Sequence, residues 1–173
     1  MRFLLTIFTL MGLMITTGAN AQEWYEPKDV GKPNMVKLGV GYSHLFDKDE
    51  SDKITGLIEY NWGHEYALGL SPFAAFQADV DGAMWAGLGL DRDFRVTDKI
   101  IFTPSFAPGL YRDGGGYDLG GALEFRTGVE LAYEFPTKGR AAVQLSHMSN
   151  ANIYDENPGT NLLTLNYSFP LGQ

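Results

Sequence analysis

Apolar and polar residues alternate along most of the chain after residue 34, in runs separated by short polar or glycine-rich segments. Because successive side chains of a β-strand point to opposite faces, each run predicts a strand with one apolar and one polar face. A membrane-spanning strand needs ~9–11 residues, which suits these lengths. The runs number eight: 35–46, 53–62, 65–77, 83–92, 99–111, 119–134, 140–150 and 160–169.

The sixth run shows the two faces most clearly. One face is apolar, whereas the other carries Glu124, Arg126, Glu130 and Glu134. Two all-β barrels fit this pattern: a membrane barrel with the charged face inside, and a soluble, lipocalin-like barrel with an apolar, ligand-binding interior. Aromatic residues near the ends of the apolar columns are typical of interfacial girdles, so we favour an eight-stranded antiparallel transmembrane β-barrel. The expected girdle residues are Tyr42, Phe46, Tyr60, Trp62, Tyr133, Tyr167 and Phe169.

Two local features modify this pattern. Gly63 and His64 stand between the second and third runs and predict a tight two-residue turn. Pro104 and Pro108 interrupt the fifth run and predict a bulge or bend, because proline cannot donate to a strand ladder.

The N-terminus predicts export. Arg2 precedes a mostly apolar stretch over residues 3–16, and Ala19-Asn20-Ala21 has the form of a cleavage site. Residues 1–21 are therefore interpreted as a signal peptide that is removed. We expect residues 22–34 to form an irregular periplasmic segment and residues 35–173 to form the barrel, which places the protein in a bacterial outer membrane.

The amino-acid composition limits the partners and cofactors that the protein can have. The formal net charge of -8 argues against a nucleic-acid partner. The chain has no cysteine, which excludes disulfides and thiolate metal sites. Its three histidines are scattered without metal-ligand spacing, so we predict neither a metal nor another cofactor.

The most informative stretch for function lies near the C-terminus. In an even-stranded barrel both chain ends lie in the periplasm, so the seventh strand runs outward. His147 lies late in that strand and Asn161 begins the eighth, which places both near the extracellular end. His147 and Ser149 continue the apolar column of the seventh strand, so they are expected to face lipid, whereas Ser146 points to the opposite face.

A base and a hydroxyl on a lipid-facing wall favour hydrolysis of an acyl ester in the outer leaflet. His147 would take the proton from Ser149 as the hydroxyl attacks the carbonyl, and Asn161 would orient the imidazole. The alternative is an interfacial cluster of polar residues without catalytic function. His44 lies late in the first strand, which closes against the eighth, so it is expected near the site as an interfacial residue. His64 is expected in a periplasmic turn.

The stretch His147-Met148-Ser149-Asn150-Ala151, followed by Asn157-Pro158-Gly159, resembles the signature of the PagL-type lipid A 3-O-deacylases, also grouped as acyloxyacyl hydrolases. The resemblance extends to residues 109–111 and 123–126. It implies a serine esterase that removes the 3-linked hydroxyacyl chain of lipid A, the lipid anchor of lipopolysaccharide. His147 matches the base of the family and Ser149 its nucleophile, and we hypothesise that Asn150 is an oxyanion donor.

One position departs from the family pattern. Asn161 stands where the family usually has Glu. An Asn carbonyl can still accept the imidazole N–H, but it brings no charge. Asp155 or Glu156 in the preceding loop are alternative partners for the imidazole. A non-catalytic barrel that binds or resides in lipopolysaccharide is the second interpretation, and whether two copies form a homodimer stays open.

Overall fold

The structure is a computed structural model that describes residues 32–45 and 51–172. The proposed signal peptide, most of the segment 22–34 and the girdle residue Phe46 lie outside the described residues. One antiparallel sheet closes into a barrel through pairing of β4 with β6. Its strands are β1 (Asn34–Ser43), β2 (Lys53–Asn61), β3 (Ser71–Asp79), β4 (Met84–Asp91), β5 (Phe94–Arg95), β6 (Ile100–Arg112), β7 (Leu123–Glu134), β8 (Arg140–Ser149) and β9 (Thr160–Leu171).

Eight long strands make the barrel wall, and the two-residue β5 adds only a short ladder on β6. β1 pairs with β9, so both ends of the barrel segment lie at one rim, which we call the terminal end. The connections that follow β1, β3, β6 and β8 lie at the opposite rim, which we call the distal end. Within the described residues, no helix has the length and hydropathy needed to span a bilayer.

The two faces of the wall are those that the alternation predicted. The polar column of β7 points inward and is buried, with Glu124 at 0 % and Arg126 at 2 % exposure. Apolar residues point outward, including Leu131 at 56 % and Leu165 at 63 % exposure. The polar interior and apolar exterior confirm the membrane barrel and exclude the lipocalin-like inversion.

An ion network fills the middle of the interior. Lys37 Nζ lies 2.9 Å from both Glu59 Oε1 and Glu130 Oε2, and Arg126 Nη2 lies 2.8 Å from Glu59 Oε2. Two cations thus face two carboxylates. The network ties β1, β2 and β7 together across the barrel.

The third strand begins later than the alternation suggested. Residues 62–70 form a connection with a 3-10 turn at Ala67–Gly69, so the expected two-residue turn at Gly63 and His64 is wrong. The turn closes through hydrogen bonds from Tyr66 N to Leu70 O at 2.8 Å and from Gly69 N to Tyr66 O at 3.0 Å. Tyr66, Leu68 and Leu70 stand at every second position, as in a strand, but they belong to this turn.

Two further expectations are corrected. Leu119 precedes β7 and is fully buried in an apolar cluster with Trp85, Met148 and Leu162, inside the barrel near the distal end. The sixth alternating run therefore began four residues too early. The bulge expected at Pro104 and Pro108 is also wrong. The continuous pairing of β6 with β7 shows that no residue is inserted there, and only the pairing with β4 is interrupted opposite Pro108.

Candidate active site

His147 and Asn161 face each other on neighbouring strands at the distal end. The register of β8 and β9 pairs them directly, and both side chains belong to outward-facing columns. His147 Nδ1 lies 3.0 Å from Asn161 Oδ1, which is hydrogen-bonding distance. The sequence-predicted contact between the candidate base and its orienting residue is therefore present.

The Asn161 amide is held at both ends. Its Nδ2 donates to the backbone carbonyl of Leu45 at 3.3 Å, while its Oδ1 faces His147 Nδ1. The backbone carbonyl of Asn161 also accepts from Leu45 N at 3.1 Å. Since the amide N–H₂ is directed to a carbonyl, the amide oxygen faces the imidazole. The proton of a neutral His147 then belongs on Nδ1, and Nε2 carries the lone pair that a general base needs.

Gly159 explains how the loop can pass over the imidazole. Its φ of +68° lies in the left-handed region, and a Cβ built there would lie 3.1 Å from His147 Cε1 and 3.3 Å from His147 Nε2. Glycine adopts this backbone conformation without steric cost. The segment Asn157-Pro158-Gly159 thus brings the chain against the ring just before β9 begins.

Ser149 ends β8 on the same face as His147, ~6.6 Å further along the strand. It is 6 % exposed and pairs with Phe125 of β7. Ser146 is also buried but belongs to the inward face, as the period of two requires. Ser149 is therefore the hydroxyl that belongs to the same column as the base, although its own surface is almost completely covered.

Asn150 organises the loop that follows. Its Nδ2 donates to Leu119 O at 3.0 Å and to Glu156 O at 2.8 Å, and its Oδ1 accepts from Asn152 N at 3.0 Å. Its own backbone N–H donates to Asn157 Oδ1 at 3.0 Å. In this conformation every N–H of Asn150 has a partner within the protein, which favours a loop-organising function over oxyanion binding.

The remaining candidates lie elsewhere. Asp155 and Glu156 are exposed loop residues. His64 lies at the terminal end, where its ring packs edge-on against Tyr66 at 4.7 Å. His44 is buried inside the barrel at the distal end. Over the described part of the chain, no group of three or more His, Cys, Asp or Glu side chains is arranged to hold a metal ion.

Sequence reasoning missed two features of the site. The Leu45 carbonyl contributes through the backbone, so no residue type could have identified it. The buried Thr160 and His44 were not connected with Asn161, because their contact joins chain segments 116 residues apart. Gly159 was visible in the sequence, but only as part of the motif.

Comparison with known proteins identifies the family and the fold of the chain. The family model described as lipid A 3-O-deacylase (PagL) matches residues 15–170. No curated protein shows a significant match. The crystal structure of the outer membrane enzyme PagL superimposes with a TM-score of 0.61 at 17% identity, covering 79% of this chain and 99% of that one.

Two other membrane barrels share the architecture. The crystal structure of Neisserial surface protein A (NspA) gives a TM-score of 0.57 at 11% identity, covering 79% of this chain and 96% of that one. A de novo designed transmembrane β-barrel gives 0.55 at 11% identity, covering 80% of this chain and 94% of that one. At these identities the solved structures establish the fold, an eight-stranded transmembrane barrel.

Proposed function

The chain belongs to the lipid A 3-O-deacylase (PagL) family of the bacterial outer membrane, and on that premise we propose that it is a serine esterase acting on lipid A. The reaction is hydrolysis of the ester that links the hydroxyacyl chain to the 3-position. The observation that carries the proposal is the outward-facing His147, hydrogen-bonded through Nδ1 to Asn161 at 3.0 Å and two residues from Ser149.

The first half-reaction acylates the protein. Nε2 of His147 takes the proton of Ser149 as the serine oxygen attacks the ester carbonyl. The tetrahedral intermediate then collapses, the bond between the acyl carbon and the sugar oxygen breaks, and the imidazolium returns its proton to that oxygen. The products are acyl-Ser149 and the free 3-hydroxyl of lipid A.

The second half-reaction releases the fatty acid. Water attacks the acyl-serine while Nε2 of His147 accepts its proton, and the proton then passes to the departing Ser149 oxygen. Throughout, the proton on Nδ1 stays directed to Asn161. This residue sets the tautomer and the orientation of the ring but supplies no negative charge to the imidazolium, so a slower reaction than with a carboxylate is expected.

The surroundings of the pair fit a substrate that arrives within the membrane. Leu163 and Leu165 follow Asn161 on the same outward column of β9, with 40% and 63% of their surface exposed. An apolar wall of this kind is in contact with hydrocarbon. Because the chain ends of such barrels lie in the periplasm, the distal end faces the outer leaflet, where lipid A resides.

Mass spectrometry of lipid A tests the proposal. The protein is expressed in a Gram-negative host whose lipid A retains its 3-linked hydroxyacyl chains. We expect loss of one hydroxyacyl chain with the wild type and an unchanged lipid with Ser149→Ala and with His147→Ala. Ser146→Ala is the matched control, since this serine is three residues away on the inward face.

Folding is followed in parallel by the heat-dependent migration of the barrel on gels. An unchanged lipid mass with correctly folded wild-type protein would overturn the esterase and leave the non-catalytic barrel. Activity that survives in Ser149→Ala would instead remove this serine as the nucleophile.

A further inference from the structure

A second histidine lies directly behind the site, on the inner side of the barrel wall. His44 is 1 % exposed, and its backbone N–H donates to Thr160 Oγ1 at 3.1 Å. The Thr160 hydroxyl lies 3.2 Å from His44 Nδ1, and His44 Nε2 lies 3.7 Å from Asp79 Oδ2. Ser43 Oγ donates to the same Asp79 oxygen at 2.6 Å. We call His44, Thr160 and Asp79 the inner cluster.

The inner cluster fixes the backbone that leaves β1. His44 has a φ of +63°, a left-handed conformation that is uncommon for a residue with a Cβ and persists only where surrounding contacts hold it. The next residue, Leu45, makes two hydrogen bonds with Asn161 of β9, one through its N–H and one through its carbonyl. The buried contacts of His44 therefore hold the residue that directly precedes Leu45.

The position of the Leu45 carbonyl affects the site because the side chain of Asn161 ends in an amide, which can face His147 in two orientations. An amide has an accepting end and a donating end, and rotation by 180° about its last bond exchanges them. The rotated amide would donate to His147 Nδ1, which would move the ring proton to Nε2 and remove the general base. A carboxylate at this position would accept through either oxygen and would need no such control.

We infer that the inner cluster is a positioning device in which His44, anchored by Thr160 and Asp79, holds the Leu45 carbonyl against the Asn161 amide. This contact determines which end of the amide faces His147. The inference deepens the proposed esterase function and rests on it for its catalytic consequence. The tautomer of His147 can nevertheless be measured without any substrate.

The direct test is nitrogen NMR of the protein in detergent micelles with ¹⁵N-labelled histidine. Three histidines give three imidazoles to assign. We expect His147 of the wild type to carry its proton on Nδ1. In Thr160→Val, and in His44→Ala where it folds, a population with the proton on Nε2 should appear. Thr160→Val retains the shape of the side chain and the strand preference, so it is the gentler variant.

Two controls separate positioning from a general loss of structure. Gln77→Ala removes another buried, inward-facing polar side chain, at 7 % exposure on β3, and should leave the tautomer unchanged. In the Asn161→Asp background, Thr160→Val should also leave the proton on Nδ1, because a carboxylate can only accept. A His147 tautomer that does not respond to Thr160→Val or His44→Ala would overturn the inference.

The same variants form a kinetic cycle. In the Asn161 background, Thr160→Val should lower kcat by about two- to tenfold, the range of a single hydrogen bond, with little change in KM. In the Asn161→Asp background the same substitution should change kcat by less than about twofold. Equal losses in both backgrounds would assign the inner cluster a purely structural function. The expected tautomer shifts in a protein without deacylase activity would refute the proposed function and retain the positioning device.

Discussion

Arg126 is the residue whose removal tests the charge balance of the barrel interior most clearly. Its side chain is 2 % exposed, with one nitrogen 2.8 Å from Glu59 Oε2 and its guanidinium carbon 4.7 Å from the ring centre of Trp85. Arg126→Met keeps a long apolar stem but leaves Lys37 alone with Glu59 and Glu130. This four-residue network then contains one uncompensated negative charge.

The expected cost follows from the burial of the network. Removing one partner of a buried ion pair typically destabilises by ~3–5 kcal/mol, and loss of the contact with the indole ring adds ~0.5–2 kcal/mol. Glu59→Gln alone leaves one excess positive charge and should cost a comparable amount. The double variant pairs Lys37 with Glu130 only and is neutral again, so it should be more stable than the sum of the single effects predicts by at least ~2 kcal/mol.

Urea unfolding from detergent micelles measures these free energies, with the circular dichroism of the strands as signal. A spectroscopic signal of secondary structure is preferable to tryptophan emission, because Trp85 itself contacts the mutated side chain. The reasoning is refuted if Arg126→Met costs less than ~1 kcal/mol, or if the two substitutions are additive. Either result would mean that the interior charges are solvated and independent.

Three further predictions concern the site and the terminal end. Gly159→Ala places a Cβ against the His147 imidazole at a left-handed φ of +68°, so under the proposed mechanism kcat should fall more than tenfold while the barrel still folds, as gel migration would show. Asn161→Ala should lower kcat about tenfold, and Asn161→Glu should retain or raise it, in the lipid A assay. Burial alone would raise the pKa of Asp93, but Lys32 and Arg140 hold it well below its ordinary value. This carboxylate therefore stabilises the barrel at neutral pH, and its contribution is lost as acidification protonates it. Asp93→Asn should therefore be less stable than the wild type at pH 7. Its free energy of unfolding should also fall less than that of the wild type between pH 5 and pH 2, a window set roughly by the carboxyl pKa of the unfolded chain. Equal dependence of the two unfolding free energies on pH would contradict a stabilising Asp93 carboxylate.

The barrel wall could be predicted from the sequence because one physical rule applies to every strand. Lipid on one side and a narrow polar interior on the other impose a period of two, so simple counting placed Glu124 and Arg126 inside and His147 and Asn161 outside. The same counting brought His147 and Asn161 together, since antiparallel neighbours joined by a loop face each other near its ends. The functional signal itself came from His147 and Ser149 and the motif around them, in which Asn161 is a departure from the family pattern.

The connections could not be predicted in the same way. Tyr66, Leu68 and Leu70 alternate with polar or small residues but form a turn, because the hydrogen bonds of the turn depend on backbone geometry rather than on the pattern. Leu119 was assigned to a strand because it continued an apolar column, whereas it folds back into the barrel. Alternation predicts which face of the sheet a side chain lies on, but it does not predict at which residue a strand begins or ends.

The inner cluster lay beyond sequence reasoning for a different reason. Closure of the first strand against the last placed His44 near the site, but alternation could not show that this residue turns inward to contact Thr160 and Asp79. Nor does a motif indicate that the carbonyl of Leu45 orients the side-chain amide of Asn161.

Incubation of the purified barrel with lipid A in detergent tests the central claim most directly. We predict release of free 3-hydroxy fatty acid together with lipid A that has lost the acyl chain from its 3-position, and no release by Ser149→Ala. Correctly folded wild-type protein that releases no fatty acid, or a Ser149→Ala variant that releases it at the wild-type rate, would contradict the assignment of an outward-facing serine esterase.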